Sequence, residues 1–302
     1  MKKKELIDAF ILLRLPFSLF LMPIFWYAHL LAQNPDDILN PKTLLAFFIL
    51  HLLVYPSSNA FNSFHDKDEN SIGGLEHPPK PNILLLRISN MLDISSILLA
   101  FLINEIFLTS IFTYILLSRA YSHPKIRIKK FPWFSLLIVA FCQGSLICFS
   151  ISSIYIPVDQ LFNLHHILFC IIPALFLASS YPLTQIYQHD EDQKRGDNTL
   201  SLMLGINRTF LFSQVFMALS TLSFITFFVF FRNDISTSLI FVISGMPTLF
   251  YFTRWMKDCK KNQTEANFSN TMRMNKISSL CTTASFVFSL MIKFLFFFGQ
   301  TA

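Results

Sequence analysis

The chain of 302 residues is strongly apolar: hydrophobic residues make up 53% of it and charged residues only 14%, and its mean hydropathy is +0.51. A soluble domain carries about 25% charged residues, because it needs a solvated surface. These values exclude a soluble domain, a disordered chain and a disulfide-stapled secreted fold. They indicate an integral membrane protein that lies in a lipid bilayer.

Apolar segments of spanning length recur along the chain. A helix needs about 20 mainly apolar residues to cross the hydrocarbon of a bilayer. We therefore predict an all-α, multi-spanning transmembrane bundle of about nine helices, built as a single domain over residues 1–302. The predicted segments lie near 6–32, 42–62, 83–103, 105–120, 131–154, 162–184, 207–231, 236–255 and 276–298.

The basic residues set the orientation of these segments. Of the 24 Lys and Arg residues, Lys42 and Arg232 fall on one side, Arg14 and Lys293 lie inside segments, and all the others fall on the opposite side. The positive-inside rule makes the crowded side cytoplasmic. We predict a protein of the cytoplasmic (inner) membrane, with its N-terminus in the cytoplasm. The net charge of +6 is then a topology signal, and no nucleic-acid partner is expected.

The loop after the second segment is rich in oxygen-bearing side chains. Asn62, Asp66 and Asn70 are spaced four apart, so on a helix that continues out of the segment they would share one face. Asn59 and Ser63 flank that face. Carboxylate and amide oxygens are ligands that suit Mg²⁺.

A second acid-rich loop follows the sixth segment, on the same side of the membrane. Gln188 and Asp192 are again four apart, and a basic pair, Lys194 and Arg195, precedes Gly196. Either loop alone could be a solvated, charged helix end. Carboxylates at the mouth of an apolar bundle are costly unless they are paired or bind a metal. Two such loops at corresponding places therefore favour a functional site.

A third polar cluster follows the fourth segment. Tyr121 and Lys125 are four apart and would share a helical face. Lys129 and Lys130 are interpreted as ordinary positive charges of a cytoplasmic loop. Metal-binding oxygens and cationic groups around one opening predict a site for a diphosphate.

With these three clusters the chain resembles the UbiA superfamily of intramembrane prenyltransferases. That family has the pattern NDxxDxxxD after its second helix, YxxxK after its fourth and DxxxD after its sixth. Residues 62–70, 121–125 and 188–192 occupy the three places. Ser63, Asn70 and Gln188 replace aspartates of the family pattern, so each keeps an oxygen but drops a negative charge. The departures favour a divergent member and leave open a relative that has lost the reaction.

The resemblance implies a UbiA-like fold and Mg²⁺-dependent transfer of a prenyl group from a polyprenyl diphosphate to a hydrophobic, typically aromatic, acceptor. It implies Mg²⁺ ligands at Asn62, Asp66, Asn70, Gln188 and Asp192. It implies catalytic roles for Asp66, Asp192 and Lys125, and substrate binding by Asn59, Lys80, Tyr121, Lys125, Arg127 and Lys194.

Two alternatives remain open. A prenyl-diphosphate cyclase or lyase on the same scaffold would use the same ionisation site without a separate acceptor. A transporter or non-catalytic membrane protein is the other alternative, and transporters tend to carry polar residues and Gly or Pro breaks near the bilayer midplane. The chain has 7 glycines in all, and its acids gather at one mouth, so this distribution disfavours transport.

Overall fold

The computed structural model describes residues 2–301 and the side chains of residues 3–295. The predicted domain and the last predicted segment extend beyond those limits. Within them the regular elements are helical, and the long helices are α1 (Lys3–Leu31), α2 (Pro41–Asp66), α3 (Ile83–Ala100), α4 (Glu105–Ser122), α5 (Pro132–Ser152), α6 (Leu164–Gln185), α7 (Ile206–Phe231), α8 (Ile235–Lys261) and α9 (Phe268–Thr301).

The prediction of an all-α membrane-spanning bundle is confirmed. Eight of the long helices in the described part of the chain are long and apolar enough to cross a membrane. The remaining one, α4, is 18 residues long and carries Glu105 and Arg119 close to its two ends. In α4, the Nε atom of Arg119 donates a hydrogen bond to Oδ2 of Asp93 in α3 at 2.7 Å, so these two charges neutralise each other inside the bundle.

The starts of many of these helices are fixed by side-chain caps. The first amides of a helix have no partner within the helix, and the side-chain oxygen of Asn or Asp satisfies one of them. The capping residues of α2, α3, α4, α6 and α8 are Asn40, Asn82, Asn104, Asn163 and Asp234. The connections before these five helices therefore end at defined residues.

Left-handed backbone positions end or bend three elements at one end of the bundle. Helix α2 stops at Asp66 because Lys67 has a φ of 52°. Helix α1 bends at Arg14, where φ is 51°. A short helix, His189–Arg195, follows α6 and stops at Gly196, where φ is 72° and only glycine is free of strain. These turns bring the polar loops together at that end.

Aromatic side chains pack against one another in the interior, away from the polar end of the bundle. The rings of Phe224 and Phe241 stack with centroids 4.2 Å apart, and Phe241 stacks on Phe286 at 5.8 Å. Phe224 and Phe286 are fully buried or nearly so, at 0% and 1% exposure. Between this layer and the polar end, the helices leave a cavity.

Candidate active site

A cavity of about 840 Å³ opens at the end of the bundle where α2, α4 and α6 terminate. On α2 its lining runs from Tyr55 to Asp66, a rise of about 16 Å along the helix. Both acid-rich loops contribute to its wall. The predicted site residues that line it are Asn59, Asn62, Asp66, Tyr121, Gln188 and Asp192.

The two acid-rich loops contact each other directly. The amide of Glu69 donates to Oε1 of Glu191 at 3.0 Å. Arg195 forms a salt bridge with Asp68 in the first loop, and it also pairs with Glu191 at 2.6 Å. The loops that follow α2 and α6 therefore form one mouth.

The carboxylate of Asp66 is surrounded by donors. Asn62 donates through Nδ2 to Oδ2 of Asp66 at 2.7 Å and to Oγ of Ser122 at 3.0 Å. The Nζ atom of Lys129 lies 2.6 Å from Oδ2 of Asp66, and an Nη atom of Arg127 lies 3.5 Å from Oδ1. The side chain of Asp66 is only 4% exposed. Two cationic groups therefore offset the cost of burying this charge.

Lys129 reaches the mouth because the chain turns sharply just before it. Arg127 has a φ of 48° and begins a single turn of 3₁₀-helix, Ile128–Lys130. Lys129 is thereby turned inward and is 7% exposed, whereas Lys130 is exposed and lies over the ring of Phe131. The interpretation of Lys129 as a plain topology charge is corrected by this burial.

Asp192 has a different environment. Its carboxylate accepts a hydrogen bond from the hydroxyl of Thr199 at 2.9 Å. Among the described side chains it takes part in no salt bridge. Burial raises the pKa of Asp192 to about 6, against the lowering effects of the Thr199 hydrogen bond and the charge of Lys129. Asp192 is thus a buried acid without a paired cation.

Asp197 and Arg127 connect the loop after α6 to the loop after α4. The Nε and Nη2 atoms of Arg127 donate to the two carboxylate oxygens of Asp197, both at 2.7 Å. Burial alone would raise the pKa of Asp197, but the hydrogen bond from Arg127 and the charge of Lys129 outweigh it and lower that pKa. Arg127 is therefore held at the mouth by a fork-shaped pair.

Five predicted site residues lie outside the cavity wall. One is Arg127, which pairs with Asp66 and Asp197 at the mouth. Asn70 is exposed, and it does not continue the stripe of Asn62 and Asp66, because α2 ends at Asp66. The expectation of a helix extending to Asn70 is therefore wrong. The side chains of the other three are exposed, and their proposed contacts with substrate stay predictions: Lys80, Lys125 and Lys194.

Four charged residues of the wall were not among the predicted site residues. Arg14 is 7% exposed and donates to the carbonyl oxygens of Asn59 and Gly73 at 3.0 and 3.3 Å. Its position inside an apolar segment was the signal that could have identified it. The remaining members are Asp68, Lys129 and Arg195.

The deep part of the cavity is mostly apolar and aromatic. The hydroxyl groups of Tyr121 and Tyr181 lie 2.7 Å apart, and Tyr181 donates to Oγ of Ser135 at 3.1 Å, so these hydroxyls satisfy one another. Ring faces attract positive charge, most strongly where water is excluded. The aromatic lining comprises Phe17, Phe20, Tyr27, Tyr55, Tyr114, Tyr121, Phe176, Tyr181, Tyr187, Phe241 and Phe286.

The wall offers oxygen donors but not a complete metal cage. Among the side chains that the structure describes, no three of His, Cys, Asp or Glu cluster closely enough to hold a metal ion. Mg²⁺ commonly takes only one or two carboxylates from a protein and completes its shell with water and substrate phosphate oxygens. The donor set therefore fits a Mg²⁺ ion that arrives with a diphosphate.

Comparisons with known proteins agree with this architecture. The model of the UbiA prenyltransferase family matches residues 20–277. No curated protein matches the chain.

Several solved structures share the fold. A UbiA homolog from Archaeoglobus fulgidus bound to GPP and Mg²⁺ has 17% identity and a TM-score of 0.66, with 93% of this chain and 98% of that chain covered. A digeranylgeranylglyceryl phosphate synthase has 16% identity and a TM-score of 0.59, covering 94% and 99%. The Archaeoglobus fulgidus homolog bound to Cd²⁺ has 17% identity and a TM-score of 0.58, covering 91% and 97%.

Proposed function

The chain belongs to the UbiA prenyltransferase family, and we propose that it transfers a prenyl group from a polyprenyl diphosphate to a hydrophobic acceptor, typically an aromatic one, in a reaction that requires Mg²⁺. One observation carries the proposal: Asn62 and Asp66 at the end of α2 and Gln188 and Asp192 after α6 line the mouth of a single cavity.

The mouth suits a diphosphate. Lys129, Arg195 and Arg14 bring positive charge to the cavity wall, and charge-assisted hydrogen bonds to phosphate oxygens are roughly twice as strong as neutral ones. Arg127 does not line the cavity, but it pairs with Asp66, which does, and with Asp197. These groups would hold the diphosphate and stabilise the charge that develops on it as the carbon–oxygen bond breaks.

The oxygen donors available to Mg²⁺ are Asn62 and Asp66 on one wall and Gln188 and Asp192 on the other. When bound, Mg²⁺ supplies Lewis-acid stabilisation of the departing diphosphate. A structurally similar protein, the UbiA homolog from Archaeoglobus fulgidus, was solved with GPP and Mg²⁺, which supports this choice of metal.

The deeper cavity suits the prenyl chain and its allylic cation. Tyr55, Tyr114, Phe176, Phe241 and Phe286 line it. An apolar chamber excludes water, and the ring faces attract the cation until an acceptor captures it. We propose that the whole chain, residues 1–302, forms one domain around this chamber.

We further propose that the mouth faces the cytoplasm. Lys129, Arg127 and Arg195 at the mouth belong to the basic side of the chain, which the positive-inside rule assigns to the cytoplasm. The membrane would be the cytoplasmic (inner) membrane, and the acceptor would arrive from the lipid phase.

Product analysis tests the proposal. Purified protein is incubated with Mg²⁺, a labelled prenyl diphosphate and a lipid extract of the host, and the labelled products are separated. We expect the label joined to a second molecule and pyrophosphate released in equal amount. Label recovered only as a cyclic or linear hydrocarbon would support the cyclase or lyase alternative, and unchanged diphosphate at every chain length would contradict both enzymes.

A further inference from the structure

We propose that Lys129 acts as a built-in cation of the diphosphate site, so that only one of the two walls with candidate Mg²⁺ ligands, the Asp192 wall, takes a divalent ion. The inference rests on the proposed function, because it concerns how that same site neutralises a diphosphate. It follows from the motif carboxylates that this chain lacks and from the Lys129 ammonium that it places at the mouth.

The chain has few motif carboxylates. The two family patterns together contain five aspartates, and this chain keeps Asp66 and Asp192 at those positions. The other positions hold Ser63, Asn70 and Gln188, which are uncharged. Asn70 is exposed, beyond the end of α2. Two carboxylates, one on each wall, supply too little negative charge to hold two divalent ions.

One of the two remaining carboxylates, Asp66, is already paired with a cation of the protein. The Nζ atom of Lys129 lies 2.6 Å from Asp66, and Arg127 adds a second positive charge at 3.5 Å. The Lys129 and Asp66 side chains are 9% and 4% exposed. Because like charges repel strongly where water is largely excluded, a divalent ion beside this ammonium would be disfavoured.

Lys129 stands between the two loops and on the cavity wall. Besides Asp66 it reaches Asp197, at 3.5 Å, and the amide of Asp197 donates to the carbonyl oxygen of Asp192 at 2.9 Å. An ammonium has three donors, and the two carboxylates engage at most two of them. The third donor is available for a diphosphate oxygen in the cavity that Lys129 lines.

The carboxylate on the opposite wall, Asp192, has a different environment from that of Asp66. Asp192 accepts a hydrogen bond from Thr199 but pairs with no cation among the described side chains. Gln188 lines the cavity next to it. A carboxylate with an amide oxygen nearby suits one hard cation whose shell is completed by phosphate oxygens and water. The site is therefore asymmetric, with a metal on one wall and an ammonium on the other.

The number of bound ions tests this inference without turnover. The whole 302-residue chain is saturated with Mn²⁺ and geranyl thiolodiphosphate, an unreactive analogue, and bound Mn²⁺ is counted and examined by electron paramagnetic resonance. We expect one Mn²⁺ per chain with the spectrum of an isolated ion. Two ions per chain with a coupled spectrum, as two metals about 4 Å apart would give, would overturn the inference, and so would no bound ion.

A matched pair of variants tests the ammonium itself. Lys129→Gln should weaken binding of the analogue in metal-free buffer about tenfold, whereas Lys130→Gln, which removes an exposed charge next to it, should leave that binding unchanged. Equal affinity in Lys129→Gln and the unaltered protein would overturn the role. Because the Mn²⁺ count uses the unaltered chain, it decides the question even if Lys129→Gln does not fold.

The same preparation separates this inference from the proposed function. Pyrophosphate release from prenyl diphosphates with Mg²⁺ reports the proposed function. Release accompanied by two bound Mn²⁺ ions would refute the single-ion site and leave the prenyltransferase intact. One bound Mn²⁺ without any release would refute the reaction and leave the charge arrangement standing.

Discussion

Arg127 donates hydrogen bonds to both carboxylate oxygens of Asp197, from its Nε and Nη2 atoms, each at 2.7 Å. This pair connects the loop after α4 to the loop after α6. The Asp197 side chain is 1% exposed and that of Arg127 is 19% exposed. Asp197→Asn should therefore lower the free energy of unfolding by about 2 kcal/mol, measured as a loss of Tm in detergent. Asp190→Asn, an exposed acid of the same loop, is the control, and an equal Tm loss in both variants would refute the argument.

The same pair predicts a dependence of stability on acid pH. The pKa of Asp197 is lowered in the folded protein, because the Arg127 hydrogen bond and the Lys129 charge outweigh burial. Its stabilising effect should be complete above the unfolded value of about 3.9 and should be lost as the pH falls through the lower folded value. The Tm difference between the unaltered protein and Asp197→Asn should thus shrink below about pH 4. A difference that is constant to the lowest pH at which the protein stays folded would contradict this.

Asp66 and Asp192 should both be essential for turnover. Asp66→Ala and Asp192→Ala each remove a carboxylate from the cavity mouth, and we expect each to lower kcat by at least about 10²-fold while the protein still inserts in the membrane. Mg²⁺-dependent pyrophosphate release measures the loss, and Asp190→Ala serves as the control. Full activity in either variant would refute the assignment of that residue.

Lys125 offers a test of the YxxxK resemblance. The resemblance implies that Lys125 binds the diphosphate, so Lys125→Ala should raise KM with little change in kcat. The structure leaves the Lys125 side chain exposed and places Lys129 on the cavity wall. Steady-state kinetics decide the question: an unchanged KM in Lys125→Ala, beside a raised KM in Lys129→Ala, would transfer the role to Lys129.

Phe241 should limit the length of the prenyl chain. It lines the cavity and stacks on Phe224 and Phe286. Phe241→Leu should enlarge the cavity and raise kcat/KM for a longer prenyl diphosphate, relative to a shorter one, by about tenfold. Phe250→Leu on the same helix, where the ring is 71% exposed, should change nothing. Identical length preferences in the two variants would contradict the limit.

The sequence predicted the helices well because spanning segments are a matter of length and composition. It predicted that Asp66 and Asp192 belong together because loops on one side of a bundle meet. The prediction that Asn70 continues the helical face of Asn62 and Asp66 was wrong for a local reason. Lys67 adopts a left-handed conformation that ends α2 after Asp66, and a spacing of four residues does not show where a helix stops.

The burial of Lys129 could not be predicted from the residues around it in the sequence. In a loop crowded with Lys and Arg, charge alone does not distinguish a buried cation from a topology signal. The difference arises from the backbone at Arg127, whose φ of 48° turns Lys129 inward and leaves Lys130 exposed. Arg14 was overlooked as a site residue because its hydrogen-bond acceptors, Asn59 and Gly73, are distant in the sequence.

Pyrophosphate release by the protein reconstituted in lipid vesicles decides whether the chain ionises a prenyl diphosphate with Mg²⁺. The purified chain is supplied with prenyl diphosphates of several lengths and a host lipid extract, with Mg²⁺ or with a chelator. We expect release that requires Mg²⁺, favours particular chain lengths and is lost in Asp192→Ala. A folded protein that releases no pyrophosphate at any chain length, or that releases it equally well in the chelator, would contradict the account.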